Sequence, residues 1–174
     1  MTLRRTPLLL ASAVLALASC SSGPASTPAP AEAKHNAAAY DSLDVCGLAT
    51  AEQYQAALGE EPASPERRDA DGLKACAVDA KPGGFYLFLT VVRPSLAPAD
   101  QVAFDRAGTE GAQDAGTNVF SFADSDQAFV EGVAGDLVVR VALVYYVESG
   151  TLTDGPAVVG RLRTLLGQVT QKVQ

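Results

Sequence analysis

The sequence has few of the residues on which many enzyme active sites depend. It contains one histidine, His35, three cysteines, one methionine and no tryptophan in 174 residues. A Ser-His-Asp or Cys-His arrangement needs a histidine held in a folded site, and zinc needs several His or Cys ligands. Because His35 lies in a Pro/Ala-rich tract, we expect neither kind of site, and no cofactor, in the folded part of the chain.

Basic residues are scarce as well. There are 13 Lys and Arg against 20 Asp and Glu, so the formal net charge is -7. Nucleic acids are bound through basic contacts to phosphate, and anionic lipid surfaces attract clusters of Lys and Arg. We therefore expect no nucleic-acid partner and no electrostatic binding to a membrane surface.

The N-terminus has the pattern of an exported protein. Arg4 and Arg5 precede an apolar run over residues 7–17, which is too short for a stable membrane-spanning helix. The tetrapeptide Leu-Ala-Ser-Cys that ends at Cys20 resembles the bacterial lipobox. That resemblance implies removal of residues 1–19 as a signal peptide and a lipid, palmitate included, on Cys20. The alternative is an ordinary secretion signal with no lipid.

Two or more acyl chains would hold such a protein firmly on the extracytoplasmic face of the cell membrane, whereas one chain binds only marginally. Residues 20–40 contain almost no large apolar side chain, so they predict a disordered linker after the lipidated Cys20. Residues 41–174 are long enough for one domain with its own core. Without residues 1–19 the net charge becomes -9, since the leader carries Arg4 and Arg5 and no acid.

The cysteine count predicts a disulfide. With Cys20 acylated, Cys46 and Cys76 remain, and an even remainder in an exported protein favours pairing. Closing a loop of about thirty residues contributes roughly 3–4 kcal/mol in the chain-entropy description. The alternative, a reactive thiol pair, lacks a Cys-x-x-Cys motif and a nearby histidine.

Three helices are expected in the domain. Thr50 and Gln53 fit a capping box for the first, which Gly59 would end. The second covers residues 95–107, and the third starts at a Thr153 cap. The side chains expected to face the core are Val102, Ala103 and Phe104 in the second helix, and Val158, Leu162, Leu165, Leu166, Val169 and Val173 in the third.

Apolar runs predict five strands, over residues 73–79, 85–92, 117–122, 127–133 and 136–147. Residues 60–72 are expected to form an exposed loop and residues 108–116 a mobile one. No βαβ unit repeats, so the expected fold is α+β. It would be an antiparallel sheet of about five strands packed against two or three helices, largely on one face, as an α/β sandwich. Arg140 is expected near a sheet edge or a solvent gap.

Several short motifs are similar to a domain of unknown function found in actinobacterial lipoproteins. The motifs are Asp44-Val45-Cys46-Gly47-Leu48, Thr50-Ala51-Glu52, Leu58-Gly59, Cys76 at the start of a strand, and Gly132-Val133-Ala134-Gly135-Asp136. The match covers roughly residues 42–172, and it departs at Val78, where that family often has tryptophan. The resemblance implies a surface lipoprotein and brings no catalytic residues with it.

Three functions remain open. The favoured one is a non-enzymatic binding module for an envelope protein, a peptide or a small apolar ligand, with Tyr86, Arg93, Arg140 and Tyr146 as candidate contacts. The second is a carrier with a lipid or hydrophobic molecule in a cavity between sheet and helices. The third is a hydrolase that uses two converging carboxylates with perturbed pKa values. Asp124 and Asp126 could bind Ca²⁺ weakly, but a solvated turn is the simpler interpretation.

Overall fold

A computed structural model describes residues 37–70, 72–81, 84–145 and 152–173. In these ranges the chain forms an eight-stranded antiparallel sheet and four α-helices. The predicted α+β class is confirmed, and the predicted number of about five strands is wrong. The leader, Cys20 and most of the predicted linker lie outside the described residues.

The helices are α1 (Ala37–Asp41), α2 (Ala51–Leu58), α3 (Pro98–Ala107) and α4 (Gly155–Val173), with a 3₁₀ turn at Cys46–Leu48. The strands are β1 (Glu61–Pro62), β2 (Glu66–Arg67), β3 (Leu73–Lys81), β4 (Phe85–Val92), β5 (Gln113–Gly116), β6 (Val119–Ala123), β7 (Gln127–Ala134) and β8 (Leu137–Tyr145).

The strand order is β1-β3-β4-β8-β7-β6-β5, and β2 also pairs with β3. Strands β3 and β4 form a hairpin, and β5 to β8 form a meander whose last strand returns beside β4. Strand β8 is therefore central in the sheet. Both outer ends are short strands, β1 and β5, and short edges limit pairing with other chains.

The three unpredicted strands lie in segments that we expected to be loops. Strands β1 and β2 fall within residues 60–72, and β5 falls within residues 108–116. They are two to four residues long and mostly polar or small, so they lack the apolar alternation that indicates a strand. Their order comes from pairing with β3 and β6.

The first face of the sheet carries the main core. Helices α2 and α4 cover it, and alternate side chains of β3, β4, β7 and β8 pack against them. Leu162 of α4 is fully buried there. Gly132 of β7 allows α4 to approach closely, since a Cβ at this position would lie 2.9 Å from a methyl group of Val119 and 3.3 Å from one of Leu166. The predicted apolar stripe of α4 is confirmed.

Both ends of α2 lie where the sequence predicts them. Gln53 N–H donates to the Thr50 hydroxyl, Thr50 N–H donates to the Gln53 side chain, and Gly59 ends the helix with φ of 82°. The start of α4 differs from the prediction. Asp154, not Thr153, accepts the hydrogen bond from Ala157 N–H at 3.1 Å, because the helix begins two residues after Thr153.

The second face of the sheet is covered only in part. Helix α3 lies on it and buries Val102 against a small cluster with Phe120, Phe129 and Val138. Of the three α3 side chains predicted to face the core, only Val102 does so. Ala103 is exposed, and Phe104 is 68% exposed.

Two contacts join the N-terminal part of the domain to the sheet. The predicted disulfide is present between Cys46 and Cys76, whose Cα atoms are 5.0 Å apart, and it ties the turn before α2 to β3. Tyr40, at the predicted end of the linker, is buried and donates to the carbonyls of Gly72 and Val91, each at 3.0 Å. The last residues of the predicted linker, 37–40, therefore belong to helix α1.

Candidate functional site

A row of polar side chains crosses the middle of the second sheet face. The strand register places Glu131 of β7 opposite Arg140 of β8, and Arg140 opposite Thr90 of β4. Residues opposite each other on neighbouring strands share a face. These three residues therefore form a continuous polar strip between otherwise apolar neighbours.

This strip forms one side of a cleft of about 470 Å³ between α3 and the β4 end of the sheet. Gln101 and Asp105 contribute from α3, and Arg93 and Ser95 contribute from the segment that follows β4. Apolar surface comes from Leu73, Val92, Pro94 and Val138. The volume falls within the range of small-molecule sites, and the mixture of apolar wall and few polar groups is typical of them.

An ion pair between a buried glutamate and a half-exposed arginine lines the cleft. The Glu131 carboxylate accepts from Arg140 Nε at 2.6 Å and also lies 2.6 Å from a terminal guanidinium nitrogen, both through Oε2. Glu131 is 2% exposed, whereas the Arg140 side chain is 39% exposed. The guanidinium also stacks 4.6 Å from the centre of the Phe129 ring. Arg140 thus reaches from a buried acid to the open cleft.

The second oxygen of Glu131 is placed differently. Among the described residues, Oε1 is buried and receives no hydrogen bond. Asp105 lines the same cleft, and its interaction with Glu131 favours the form of the Glu131 carboxyl that carries a proton.

The surroundings of Glu131 favour that proton. Burial raises the pKa of Glu131 to about 7, against the lowering effect of Arg140, and the nearby Asp105 raises it further. Desolvation is the largest of these effects, because Glu131 is buried and the charged form of a carboxyl is disfavoured away from water. The carboxyl is therefore able to exchange a proton near neutral pH.

Arg93 also lines the cleft, from the segment that follows β4. Its guanidinium stacks 4.5 Å from the centre of the Tyr40 ring and lies 3.9 Å from the Asp41 carboxylate. Burial raises the pKa of Tyr40, whose hydroxyl is held by two backbone carbonyls. The N-terminal helix α1 therefore helps to position a cationic group of the cleft.

Two of the four predicted contact residues come together in this cleft. Arg93 and Arg140 both line it. Tyr86 points to the same sheet face but lies four residues before Thr90, about 13 Å along β4 at the usual rise of a strand. Tyr146 lies outside the described residues. Arg140 is in a central strand, so the expected position at an edge is wrong and the expected position at a solvent gap is confirmed.

Glu131 and Asp105 were not among the predicted contact residues. Glu131 carried a usable signal, because it interrupts the apolar run Ala128-Phe129-Val130 and Gly132-Val133-Ala134 in a predicted strand. A charge in such a run is either exposed at an edge or buried with a partner. Asp105 carried none, since an acidic residue on a short helix is ordinary surface composition.

A second cleft of about 470 Å³ lies between β5, β6 and the start of α4, and none of the predicted contact residues lines it. The Asp124 carboxylate on its rim accepts from the N–H groups of Asp126 and Gln127, each at 2.8 Å, which is a local turn. Within the described ranges, no three His, Cys, Asp or Glu side chains are grouped so that they could hold a metal ion.

Comparisons with known proteins give no further guide. No protein-family description, no curated protein and no solved structure matches this chain. Of the helices in the described ranges, none has both the length and the apolar sequence needed to cross a bilayer.

Proposed function

We propose that this chain is a lipoprotein anchored through Cys20 on the extracytoplasmic face of the cell membrane, of the actinobacterial type with two paired cysteines. Its folded domain is a non-enzymatic binding module, and its ligand occupies the cleft between α3 and β4. The leader pattern, the lipobox-like tetrapeptide and the disulfide between Cys46 and Cys76 support the location.

The observation that carries the binding function is the state of Glu131. A carboxylate removed from water costs several kcal/mol unless its oxygens are hydrogen-bonded, and here only one oxygen has a donor. Such a group is a poor source of stability. Its position in an open cleft beside a half-exposed arginine suits an arrangement completed by a bound molecule.

Native mass spectrometry of protein purified from the cell envelope tests the binding module. Ser95 is exposed and lines the cleft, so Ser95→Trp should obstruct the cleft without disturbing the core. Wild type should carry a small-molecule adduct that Ser95→Trp lacks. Gln171→Trp, at an exposed position of α4, is the matched control and should keep the adduct. Equal adducts in both variants, or none in wild type, would refute a ligand in this cleft.

The anchor is tested separately by Cys20→Ala. Two or more acyl chains hold a protein on a bilayer firmly, so their loss should move the protein from the membrane fraction to the soluble exported fraction. Carbonate-washed membranes probed by immunoblotting give the measurement. Retention of the variant on the membrane at the wild-type level would contradict lipid anchoring through Cys20.

A hydrolase is a second candidate, because two carboxyl groups converge in the cleft and one has a pKa near 7. A carboxyl of that pKa can act as a general acid or base at neutral pH. Any hydrolysis of chromogenic esters or peptides should vanish in Glu131→Gln and persist in Glu110→Gln, an exposed control.

A further inference from the structure

The two members of the ion pair differ in what they present to the cleft. The side chain of Arg140 is 39% exposed, whereas Glu131 is 2% exposed. Both residues line the cleft between α3 and β4. A molecule that enters this cleft therefore meets the cationic member of the pair, while the acid lies behind it.

One edge of the Arg140 guanidinium is occupied and another is open. Nε and Nη2 both lie 2.6 Å from Oε2 of Glu131, so the inner edge of the planar group is engaged. The outer edge is formed by the two terminal nitrogens, and in the described part of the chain it meets no acceptor through Nη1. Two parallel N–H groups on one edge of a guanidinium match the two oxygens of a carboxylate.

The surrounding residues hold this guanidinium in place. Glu131 binds its inner edge, and the centre of the Phe129 ring lies 4.6 Å from its central carbon. Arg140 itself belongs to β8, a central strand of the sheet. Because the side chain is already oriented, a ligand loses less free energy in ordering it than it would with a freely rotating arginine.

We propose that the outer edge of the Arg140 guanidinium binds the carboxylate of a small organic molecule. Its two N–H groups donate to the two carboxylate oxygens, and the apolar part of the ligand lies on Leu73, Val92 and Pro94, which line the same cleft. This inference rests on the proposed ligand cleft and names the chemistry of its ligand.

The charges around the cleft favour a ligand with one negative charge. Arg93 is a second cation on the cleft wall, and its side chain is 26% exposed. The acids are Glu131, which faces Arg140, and Asp105, which accepts a hydrogen bond from the Gln101 amide at 3.0 Å. Two arginines thus balance two acids, and a single carboxylate meets no excess of negative charge.

A phosphate ester fits these surroundings less well. Its second negative charge would add repulsion from the Asp105 carboxylate, which lines the same cleft. The net charge of -9 that remains after the leader also opposes the approach of anions, and of dianions more than of monoanions. This long-range repulsion is screened beyond about 8 Å at physiological ionic strength, so a local contact with Arg140 decides the affinity.

Four probes of similar shape and different charge test the proposal: benzoate, phenyl phosphate, benzyl alcohol and benzylamine. Each is titrated at neutral pH into the full chain as the cell processes it, purified in detergent. Amide NMR shifts of residues 92, 93, 95 and 138–140 report binding in the cleft. Benzoate should bind about tenfold more tightly than each of the other three probes, since a guanidinium–carboxylate pair is a strong, charge-assisted contact.

Arg140→Lys keeps a positive charge beside Glu131 and removes the planar edge, so it should weaken benzoate binding by about tenfold. If that variant does not fold, the double variant Glu131→Gln with Arg140→Gln removes both charges together and should abolish the preference for benzoate. Arg163 is an exposed arginine on the rim of the second cleft, and Arg163→Gln is the matched control that should keep the preference.

Preferential binding of phenyl phosphate, benzyl alcohol or benzylamine would overturn the carboxylate as the ligand group and leave the binding cleft in place. A benzoate preference that survives the loss of Arg140, or absence of any shift at the cleft amides, would overturn the proposal as well. The adduct comparison with Ser95→Trp decides the proposed function independently.

Discussion

The two faces of the sheet differ in how completely they are covered and in what they bury. The first face is covered by α2 and α4, and its inward side chains are apolar and almost fully buried. The second face is covered in part by α3 and has a four-residue apolar cluster, a buried ion pair and an open cleft beside it. Strands β4, β7 and β8 contribute alternate residues to both.

The contrast indicates which face supplies stability and which face carries the proposed binding site. Burial of apolar area contributes about 25 cal/mol per Å², so the first face, with the larger apolar cluster, contributes most of the hydrophobic stabilisation. A buried ion pair contributes little on balance, because desolvation offsets its attraction. Glu131 and Arg140 therefore contribute little to the stability of the domain, which agrees with the ligand cleft proposed above.

The largest effect is expected from placing a charge in the first face. Leu162 is fully buried at the centre of α4, so Leu162→Asp should prevent folding, since an unpaired buried charge costs several kcal/mol or more. Leu96 is 47% exposed, and Leu96→Asp is the matched control. Circular dichroism and urea denaturation give the measurement. A soluble, folded Leu162→Asp protein would mean that α4 does not belong to the core.

Loss of the disulfide should destabilise the same face by a smaller amount. Cys76 is buried in that core. The bridge closes a loop with a sequence separation of 30 residues. Replacing both cysteines by serine should lower the free energy of unfolding by roughly 3–4 kcal/mol. Urea denaturation with and without reductant measures the effect, and mass spectrometry should show the pairing. If reductant left wild-type stability unchanged, the bridge would be absent or without influence.

On the second face, the titration of Glu131 should make the stability of the domain depend on pH. Folding raises the pKa of Glu131 from 4.5 to about 7, so the folded state binds the proton more tightly than the unfolded state does. The resulting stabilisation is complete below pH 4.5 and is lost as the pH rises through about 7. At 1.36 kcal/mol per pKa unit, the loss is roughly 3 kcal/mol.

Glu131→Gln should lack this decline, and Glu110→Gln should retain it. The lowered pKa values of Glu52 and Asp69 act below that window, since they shift from 4.5 and 3.8 towards lower pH. Urea denaturation at pH 5, 6, 7 and 8 distinguishes the variants. Parallel profiles for wild type and Glu131→Gln would show that Glu131 does not titrate in this range.

The first face was predictable from the sequence in most respects. Periodic apolar residues identified α4, the capping box identified α2, and the cysteine count identified the disulfide. These signals are local, or follow from simple counting. The three short strands gave no such signal, because pairing with a neighbour, rather than their own composition, orders them.

The second face was predicted less well because its features depend on register. Arg140 was a candidate contact, but its partner Glu131 is set by the pairing of β7 with β8. Asp105 joins them only because α3 packs on this face with Val102 inward. When only one apolar residue in the middle turns of a helix is fully buried, the sequence pattern can predict the wrong side of the helix to face the core. In α3 this happened at Phe104, which was predicted to face the core and is exposed.

The smallest predicted effect concerns which side of α3 faces the sheet. Val102 is 3% exposed and Phe104 is 68% exposed, although both were expected to face the core. Val102→Ala removes two buried methyl groups and should lower the free energy of unfolding by about 1.5 kcal/mol, at 0.8 kcal/mol for each group. Phe104→Ala should change it by no more than about 0.5 kcal/mol, as usual for surface substitutions. Paired urea titrations measure both, and a larger loss for Phe104→Ala would place the other side of α3 against the sheet and move Asp105 away from Glu131.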